Sequence, residues 1–328
     1  MNKPTILQWQ GDSTLSEINK ILEAGGACAV DGMPNETDHA HKSASSSFLR
    51  AMHQTCPKKA RHGSVFDPVE ENKAHERKTA FDVGSAAHDY PFQCEELCKF
   101  NVVAPQTYFC IKDKVEKPFN DKRGNKWKNL SEEHADKAIL LHSEFEAVRK
   151  MVKTMDEHPF AGAAFTDGVA ERSLFWVDND TGVWCRARPD FLPNDLRNVP
   201  DYKTTKEAVT PENVKKKISN LGYNMQHAFY TKGIEAVMGV RPNRFFFVFH
   251  EQDAPHCITP AMPTQLSAKR GAQVNKKQLQ VLSQCIETEH WPEYANGVIS
   301  CDLPIWESMK LEEAEENGEL PQVEEYWG

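Results

Sequence analysis

The segment RFFFVFHE, residues 244–251, constrains the fold more than any other part of the sequence. Its continuous aromatic and β-branched residues leave neither face of a strand polar, so they predict a strand that is buried on both sides. Three other short strand patterns precede it, at 171–178, 182–193 and 198–205. The turn NDTG separates the first two. A helical region at 210–239, with a break predicted at Gly222, follows the third. Strands joined by such a crossover and flanked by helices indicate one α/β domain.

Further helices are predicted on either side of these strands. Ser45 or Ser46 is a suitable cap for a helix that follows it directly. Residues 131–155 predict an amphipathic helix opened by a serine cap, and residues 262–288 predict a last long helix. The polar and basic residues 111–130 indicate a loop.

Two aspartates and a lysine stand out within the strand patterns. Arg186, Arg188 and Asp190 fall on one face by the two-residue period of a strand. Asp201 and Lys203 likewise share a face of the next strand. If these two strands pair as neighbours, two carboxylates and an ammonium converge at one end of a sheet.

This grouping suits divalent metal chemistry. Mg²⁺ prefers oxygen ligands, so two carboxylates, a backbone carbonyl and a substrate phosphate form a suitable shell. A lysine beside that shell can hold or deprotonate an attacking water, because burial near other positive charge lowers its pKa. Surface charges on a hairpin are the alternative interpretation of this segment taken alone.

Two other segments favour a functional site over surface charges. Gln226 and Tyr230 are four residues apart in a predicted helix and therefore share one face. His88 follows the small residues GSAA, which allow a helix start to pack closely. A single histidine is more often a core or surface residue than a ligand, so the ordered set carries the argument rather than any one member.

The net charge of −9 is unevenly distributed. Residues 307–328 contain eight Glu and one Lys, so this tail carries −7 and leaves −2 for the rest. The tail is typical of a solvated or disordered acidic end. Four local basic clusters are candidates for phosphate contacts, although most charge runs in proteins are only solvated surface. The clusters lie at 56–61, 121–128, 214–217 and 275–277.

Cysteine usage and hydropathy indicate a cytoplasmic protein. The nine cysteines are scattered and lack the Cys-x-x-Cys spacing of metal clips, which favours reduced thiols. No run approaches the ~18 apolar residues of a membrane helix. The first residues also lack the uninterrupted apolar stretch of a secretory signal. No membrane partner is expected.

The order of these motifs resembles that of the PD-(D/E)xK nuclease superfamily. Within it, the chain resembles the RecE-type (exonuclease VIII) phage recombination exonucleases, and more distantly lambda exonuclease. The similarity extends over residues 81–306, about two thirds of the chain. It rests on the segments DVGSAAHDY, AERSLFWVDNDTGVWCRARPDFL, VPDYKTT, YNMQHAFYTKGIEA and HWPEYANGVISCDLPIWE.

The resemblance implies a restriction-endonuclease-like core, with a central mixed sheet flanked by helices. It also implies roles for individual residues. Asp190, Asp201 and His88 would bind metal together with the backbone carbonyl of Tyr202, and Lys203 would activate water. Gln226 and Tyr230 complete the implied catalytic set and would support the active site and the substrate.

Some assignments are less direct. Asp201 stands where many relatives have Glu, and it follows Pro200, which is expected at a strand start or edge. Glu171 is either an additional metal ligand or a solvent-facing strand residue. Arg186 and Arg188 either neutralise phosphate or form ion pairs with neighbouring acids. By analogy with lambda exonuclease, the candidates for holding the 5′ phosphate are Ser43, Ser45 and Arg50.

The expected protein is a Mg²⁺-dependent 5′-to-3′ exonuclease of double-stranded DNA, with two metal ions per site and Mn²⁺ as a substitute. It would leave 3′ single strands for recombination by strand annealing. The expected partners are duplex DNA ends, a single-strand annealing protein, and further copies of the chain in a trimeric or tetrameric ring. The gene would be carried by a phage or prophage in a bacterial host.

The sequence predicts three segments in the chain and leaves two alternative functions open. The segments are an N-terminal segment at 1–40, an exonuclease domain at 41–306 and the acidic tail at 307–328. One alternative is another PD-(D/E)xK nuclease, either structure-specific or Cas4-like, although the cysteine cluster of a Cas4-like enzyme is missing. The other is a non-catalytic DNA-binding module with the same fold.

Overall fold

The computed structural model describes residues 3–68, 101–110, 115–134, 138–321 and 323. The chain divides into two compact units, Met1–Trp291 and Pro292–Gly328. The first unit contains mixed β-sheets flanked by helices, which confirms the predicted fold class.

The described elements of the first unit follow in chain order. They are β1 (Ile6–Gln8), α1 (Asp12–Glu23), β2 (Ala27–Asp31), α2 (Asn35–Ala40), α3 (Ser46–Gln54), α4 (Pro57–Arg61), β3 (Asn101–Val103), β4 (Thr107–Cys110), β5 (Val115–Pro118), α5 (Gly124–Glu133), β6 (Ala138–Leu140), α6 (His142–Glu157), α7 (Ala161–Ala164), β7 (Gly168–Ala170), β8 (Ser173–Val177), β9 (Trp184–Ala187), β10 (Phe191–Pro193), β11 (Asn198–Thr205), α8 (Pro211–Asn220), α9 (Tyr223–Met238), β12 (Arg244–Glu251), β13 (Ile258–Ala261) and α10 (Gln265–Thr288).

Strands β11 and β12 form the centre of the fold. They pair in parallel over eight residues, from Asn198 opposite Arg244 to Thr205 opposite Glu251, and β13 pairs antiparallel with β12. Phe245, Phe247 and Phe249 face the main core, whereas the alternate residues of β12 pack in a second core with α6. The strand is therefore buried on both faces, as its sequence predicts.

A second mixed sheet has the strand order β1-β2-β8-β9. The predicted hairpin is present, because β8 and β9 pair antiparallel. Leu174 and Trp176 of β8 face the main core, whereas Phe175 packs with α1 on the other side. The first forty residues thus contribute β1 and β2 to this sheet, and the segment boundary at residue 40 stays a prediction.

Helices α8 and α9 connect β11 to β12. Thr210 caps α8, its hydroxyl accepting a hydrogen bond from the Asn213 amide, and Pro211 occupies the first helical position. The predicted break is confirmed at Gly222, which has a φ of +63° and separates the two helices. The cap at Ser45 is confirmed as well, since its hydroxyl accepts from the Phe48 amide.

Helix α10 crosses α9 at very close range. A methyl group at Gly271 would overlap the backbone carbonyl of Asn224, so only glycine allows this approach. Four residues after Gly271, in the same interface, the side-chain amide of Asn275 donates to the carbonyl of Met225 at 2.9 Å. Gly233 has a similar role on another side of α9, because an added methyl would lie 2.7 Å from the ring of Trp176.

Two predicted segments differ from the structure. The helix predicted at 131–155 begins only at His142, because residues 138–140 form a strand that pairs in parallel with β3. Ser131 lies inside α5 instead of capping a helix. The loop predicted at 111–130 contains β5 and the start of α5.

The second unit contains helix α11 (Ile305–Glu316), which has no buried residue. The predicted acidic tail is therefore helical over its first ten residues and not an irregular chain from its start. Among the helices of the described chain, none has the length and apolar character needed to cross a membrane.

The crossing of α9 and α10 predicts the effect of a small substitution. Gly271→Ala should lower the free energy of unfolding by about 1–3 kcal/mol, because the new methyl group meets a fixed backbone carbonyl. The gain of helix propensity from glycine to alanine, about 1 kcal/mol, opposes this loss only in part. Urea unfolding followed by circular dichroism measures the change.

The matched control is Lys277→Ala on the exposed side of the same helix. Its free energy of unfolding should stay within about 0.5 kcal/mol of the parent protein. Equal stability of the Gly271→Ala protein and the parent would contradict the close crossing.

Candidate active site

The candidate site is centred on the face of β11 that turns toward α9. Asp201 is fully buried, and its carboxylate forms an ion pair with the ammonium of Lys203, two residues later. The Asp190 carboxylate lies 4.0 Å from the same ammonium. The side chains of the two aspartates and the lysine therefore converge, as the sequence predicts.

Asp190 reaches this position from a turn and not from a strand. β9 ends at Ala187 and β10 begins at Phe191, so residues 188–190 lie outside any ladder. Pro189 lacks the N–H that would continue a ladder there. The Asp190 carboxylate instead accepts a 2.6 Å hydrogen bond from the amide of Tyr202 on β11. This bond fixes the carboxylate against the edge of the central sheet.

The strand pairing that the sequence predicts for this region is wrong. β11 pairs with β12, and β10 pairs with β7, so the two aspartates do not come from hydrogen-bonded neighbouring strands. The common face predicted for Arg186, Arg188 and Asp190 is also absent, because the strand stops before Pro189. The convergence arises from the bond between Asp190 and the Tyr202 amide.

The charge state of Lys203 also differs from the expectation. Burial lowers the pKa of this ammonium, but the carboxylates of Asp201 and Asp190 raise it further, so that the pKa lies above its ordinary value. In this arrangement Lys203 holds its proton. The depressed pKa predicted from burial near positive charge does not occur, because the nearest charges are negative.

Helix α9 adds two polar side chains from the other side of the site. The Gln226 amide donates to the Asp201 carboxylate at 2.9 Å. Tyr230, one turn later, packs edge-on against Phe245 with ring centroids 5.6 Å apart. Burial raises the pKa of its hydroxyl, and the negative charge of Asp201 acts in the same direction. The structure thus brings Gln226 and Tyr230 to the site together.

A protein-family model matches most of the chain. Residues 45–304 match the family model described as PDDEXK-like domain of unknown function (DUF3799). The matched residues make up more than three quarters of the chain. The chain belongs to this family.

A solved structure has the same fold. The crystal structure of a "Putative exonuclease" from Eubacterium rectale superposes with a TM-score of 0.53 at 11% sequence identity. The match covers 84% of this chain and 95% of that chain. No curated protein matches the chain significantly by sequence.

Several residues that contact the site of this PDDEXK-like domain were not predicted. The ammonium of Lys203 lies over the ring of Tyr223, 5.6 Å from its centroid, and 5.9 Å from that of Phe247. Tyr223 precedes Gln226 by three residues and Tyr230 by seven, so all three lie on one face of the helix. This spacing is the signal that could have identified Tyr223 from the sequence. Buried Asp38 comes from α2, and its charge contributes to the raised pKa of the Tyr230 hydroxyl. No local signal pointed to Asp38.

Arg186 is buried beneath the domain surface in this structure. Its guanidinium donates to the backbone carbonyls of His39, His41 and Ser43, and its Nε lies 3.5 Å from an Asp38 carboxylate oxygen. These contacts hold the loop that follows α2. Arg186 thus forms an ion pair with a neighbouring acid, one of the two roles that the sequence left open, and its role in neutralising phosphate stays a prediction.

Arg188 and Glu171 contact each other. Arg188 donates to the Glu171 carboxylate at 2.8 Å, to the Ser173 hydroxyl at 2.8 Å and to the Met33 carbonyl at 2.9 Å. The Glu171 amide donates to the Asp190 carbonyl at 3.1 Å, so its backbone lies beside the site. Its side chain turns to Arg188, and a metal-ligand role for Glu171 stays a prediction.

The three candidates for holding a 5′ phosphate lie in different surroundings. Ser43 is buried and bonded to His41, and Ser45 caps α3. The Arg50 guanidinium donates to the Leu221 carbonyl at 2.6 Å, just before α9 begins. Arg50 is thus the candidate nearest the Tyr223 end of the site. Burial raises the pKa of the Tyr223 hydroxyl, and the charge of Arg50 opposes this effect in part.

His88 lies outside the described residues, and its metal-binding role stays a prediction. Among the residues that the structure does describe, no group of three or more His, Cys, Asp and Glu side chains is arranged to hold a metal ion. The donor chemistry nevertheless suits a hard cation. The carboxylates of Asp190 and Asp201 both face one cation, the ammonium of Lys203.

Proposed function

We propose that the protein is a divalent-metal-dependent exonuclease that degrades duplex DNA from its 5′ ends and leaves 3′ single strands for strand annealing. One observation carries the proposal: Asp190, Asp201 and Lys203 meet at one point of a PDDEXK-like domain, with Gln226 bonded to Asp201. The direction of degradation and the role in recombination rest on the resemblance to RecE-type exonucleases. The name of the Eubacterium rectale protein supports exonuclease activity in general terms.

The side chains have separable roles in this proposal. Asp190, Asp201 and the Tyr202 carbonyl would hold Mg²⁺, with His88 as a further ligand. Bound there, the ions would lower the pKa of water and stabilise the developing charge of a phosphodiester displacement. Because Asp201 and Asp190 raise the pKa of Lys203 despite its burial, its ammonium would donate hydrogen bonds at Nζ to the water or to a phosphate oxygen. Gln226 orients the Asp201 carboxylate through the hydrogen bond that its side-chain amide donates.

Substitution of the central pair tests the catalytic assignment. Asp201→Asn and Lys203→Ala should each lower the rate of duplex DNA degradation by about 10²-fold or more, because each removes a group that acts on the reacting phosphate or water. The measurement is the release of acid-soluble nucleotides from linear duplex DNA at saturating enzyme. Circular dichroism confirms that each protein is folded.

Matched controls are Asp253→Asn and Lys206→Ala, which change the same residue types at exposed positions. Both should retain the parent rate. Degradation at the parent rate by the folded Asp201→Asn protein would refute the assignment.

Metal dependence and direction are tested on end-labelled duplexes. Mg²⁺ or Mn²⁺ should support cleavage, whereas Ca²⁺ should support binding with little turnover, because its longer and looser coordination misplaces the water. A 5′ label should appear in mononucleotides at once, and a 3′ label only late in the digestion. Cleavage in EDTA by metal-stripped protein would rule out the metal mechanism, and early release of the 3′ label would reverse the direction.

We also propose a ring-shaped homo-oligomer, a trimer or tetramer, that encloses duplex DNA. The proposal combines the resemblance with the charge distribution. With −2 outside the acidic tail, the chain has too little positive charge for a general basic surface, so DNA binding must come from local fields. A closed ring would gather the basic clusters of several subunits around one duplex. A single-strand annealing protein is the proposed further partner.

The ring predicts both a mass and a kinetic property. Light scattering should give three or four times the mass of one chain, which is 37.2 kDa. Digestion of a long duplex should continue after excess competitor DNA is added, because an enclosing enzyme stays on its substrate. A monomer at the assay concentration, or digestion that stops on addition of competitor, would contradict the ring.

A further inference from the structure

The second unit of the chain exposes a run of large apolar side chains. Its helix α11 has no buried residue, and Ile305, Trp306 and Met309 are 80%, 67% and 64% exposed. Other exposed apolar side chains precede the helix, beginning at Val298. Single exposed apolar residues are common on soluble proteins, but a continuous group of them marks an interaction surface. The segment from Val298 to Glu319 is named the arm.

The arm is also strongly acidic. Between Asp302 and Glu319 it contains seven acidic residues and one lysine, a net charge of −6. Most of this charge follows the apolar side chains, because four glutamates lie between Met309 and the end of α11. The arm therefore changes along its length from apolar to acidic, and its partner must be apolar at one end and basic at the other.

Helix α10 of the first unit has the complementary charge. It contains no acidic residue between Gln265 and Ile286, and it has four exposed cations in this range, Lys269, Arg270, Lys276 and Lys277. Lys276 pairs with Asp180 at 2.8 Å, whereas the other three form no ion pair with a residue that the structure describes. Most of the positive charge of this helix is thus available to a partner.

Exposed apolar residues lie at the beginning of the same helix. Leu266 is 63% exposed, and Met262, which precedes the helix, is 47% exposed. Leu266 and Arg270 are four residues apart and therefore share one face of α10. The surface formed by Met262, Leu266, Lys269 and Arg270 is named the α10 surface. Along the helix it changes from apolar to basic.

The arm and the α10 surface match in order and in length. Ile305 and Glu316 are eleven residues apart, as are Leu266 and Lys277, and eleven residues of α-helix rise about 17 Å. A parallel arrangement of the two helices places apolar side chains together at one end and opposite charges together at the other. The phosphates of duplex DNA would match only the cations, and Leu266 would stay uncovered. The apolar end therefore favours a protein partner.

We infer that the arm of one copy of the chain docks on the α10 surface of a second copy. Within a single chain Trp306 and Leu266 are both exposed, so neither surface is covered by its own protein. Each copy would give its arm to one neighbour and receive the arm of another, and such a head-to-tail contact closes into a ring. The inference rests on the proposed homo-oligomer and not on nuclease activity.

The first test measures the mass of full-length proteins by light scattering at micromolar concentration. The arm variant carries Ile305→Ser and Trp306→Ser, and the surface variant carries Leu266→Ser and Lys269→Glu. All four residues are exposed, so both proteins should fold as the parent does, which circular dichroism checks. Each variant should be a monomer of 37.2 kDa under conditions in which the parent is an oligomer.

The matched control combines Val115→Ser with Lys153→Glu. It changes the same kinds of residue at exposed positions outside the arm and the α10 surface. This protein should have the mass of the parent.

Mixing the two variants tests the pairing directly. The arm variant keeps an intact α10 surface and the surface variant keeps an intact arm, so together they should form a 1:1 complex with twice the mass of one chain. The complex should stop at two chains, because its remaining arm and its remaining α10 surface are both altered. An arm that docks on its own chain would give no such complex.

An exchange of charges tests the electrostatic part of the contact. Glu312→Lys with Glu313→Lys on the arm, or Lys269→Glu with Arg270→Glu on the α10 surface, should each raise the dissociation constant of the oligomer about tenfold at low salt. The protein with all four substitutions should return to within about threefold of the parent value, because the opposite charges meet again. A merely structural effect of the substitutions would not be reversed in this way.

Four results would overturn the inference. A monomeric parent protein would contradict the ring as well, whereas an oligomer that persists in both variants would contradict only this contact. The absence of a 1:1 complex on mixing would show that the arm does not bind the α10 surface. Loss of duplex DNA binding in the surface variant, with the mass unchanged, would assign that surface to nucleic acid. Because mass is measured without turnover, each result is separate from a failure of the proposed nuclease activity.

Discussion

The parallel pairing of β11 with β12 is the constraint on which the rest of the structure depends. Both faces of β12 are aromatic or β-branched, so the pair must be covered on two sides. Helix α6 covers one side, and α9 and α10 cover the other. A parallel pair also requires a crossover connection, which α8 and α9 provide. The crossover therefore places Gln226 above Asp201 as a direct consequence of the strand pairing.

The same burial sets the electrostatics of the candidate site. An isolated carboxylate in the position of Asp201 would be strongly destabilising, so it needs a cation and a hydrogen-bond donor. Lys203 and Gln226 supply these. The Asp190 carboxylate adds a second negative charge beside the same ammonium. Two carboxylates this close together favour positive charge between them, which is the property that a divalent metal requires.

Much of the fold could be predicted from the sequence, because its strongest signals are local. The continuous aromatic run gave β12, the NDTG turn gave the β8–β9 hairpin, and Gly222 marked the helix break. The error in the helix predicted at 131–155 arose because contacts distant in sequence decide the structure there. Residues 138–140 continue an apolar pattern that also suits a helix, and only the distant pairing with β3 makes them a strand.

The candidate site shows the same division between local and distant information. The alternation of Asp201 and Lys203 with Tyr202 holds because it is a property of one strand. The position of Asp190 depends on the interruption at Pro189 and on a bond to another strand, so the correct convergence was predicted from an incorrect pairing. The pKa of Lys203 could not be predicted, because its direction depends on which charges surround the ammonium after folding.

Helix α9 serves three neighbours at once, and its close contacts explain how. One face meets the central sheet and the candidate site, a second meets Trp176 at Gly233, and a third meets α10 at Gly271. Both glycine contacts bring a backbone against its neighbour with no room for a methyl group, so the helix has little freedom to shift. Gln226 is therefore held against Asp201, because the helix that carries it is fixed on its other sides.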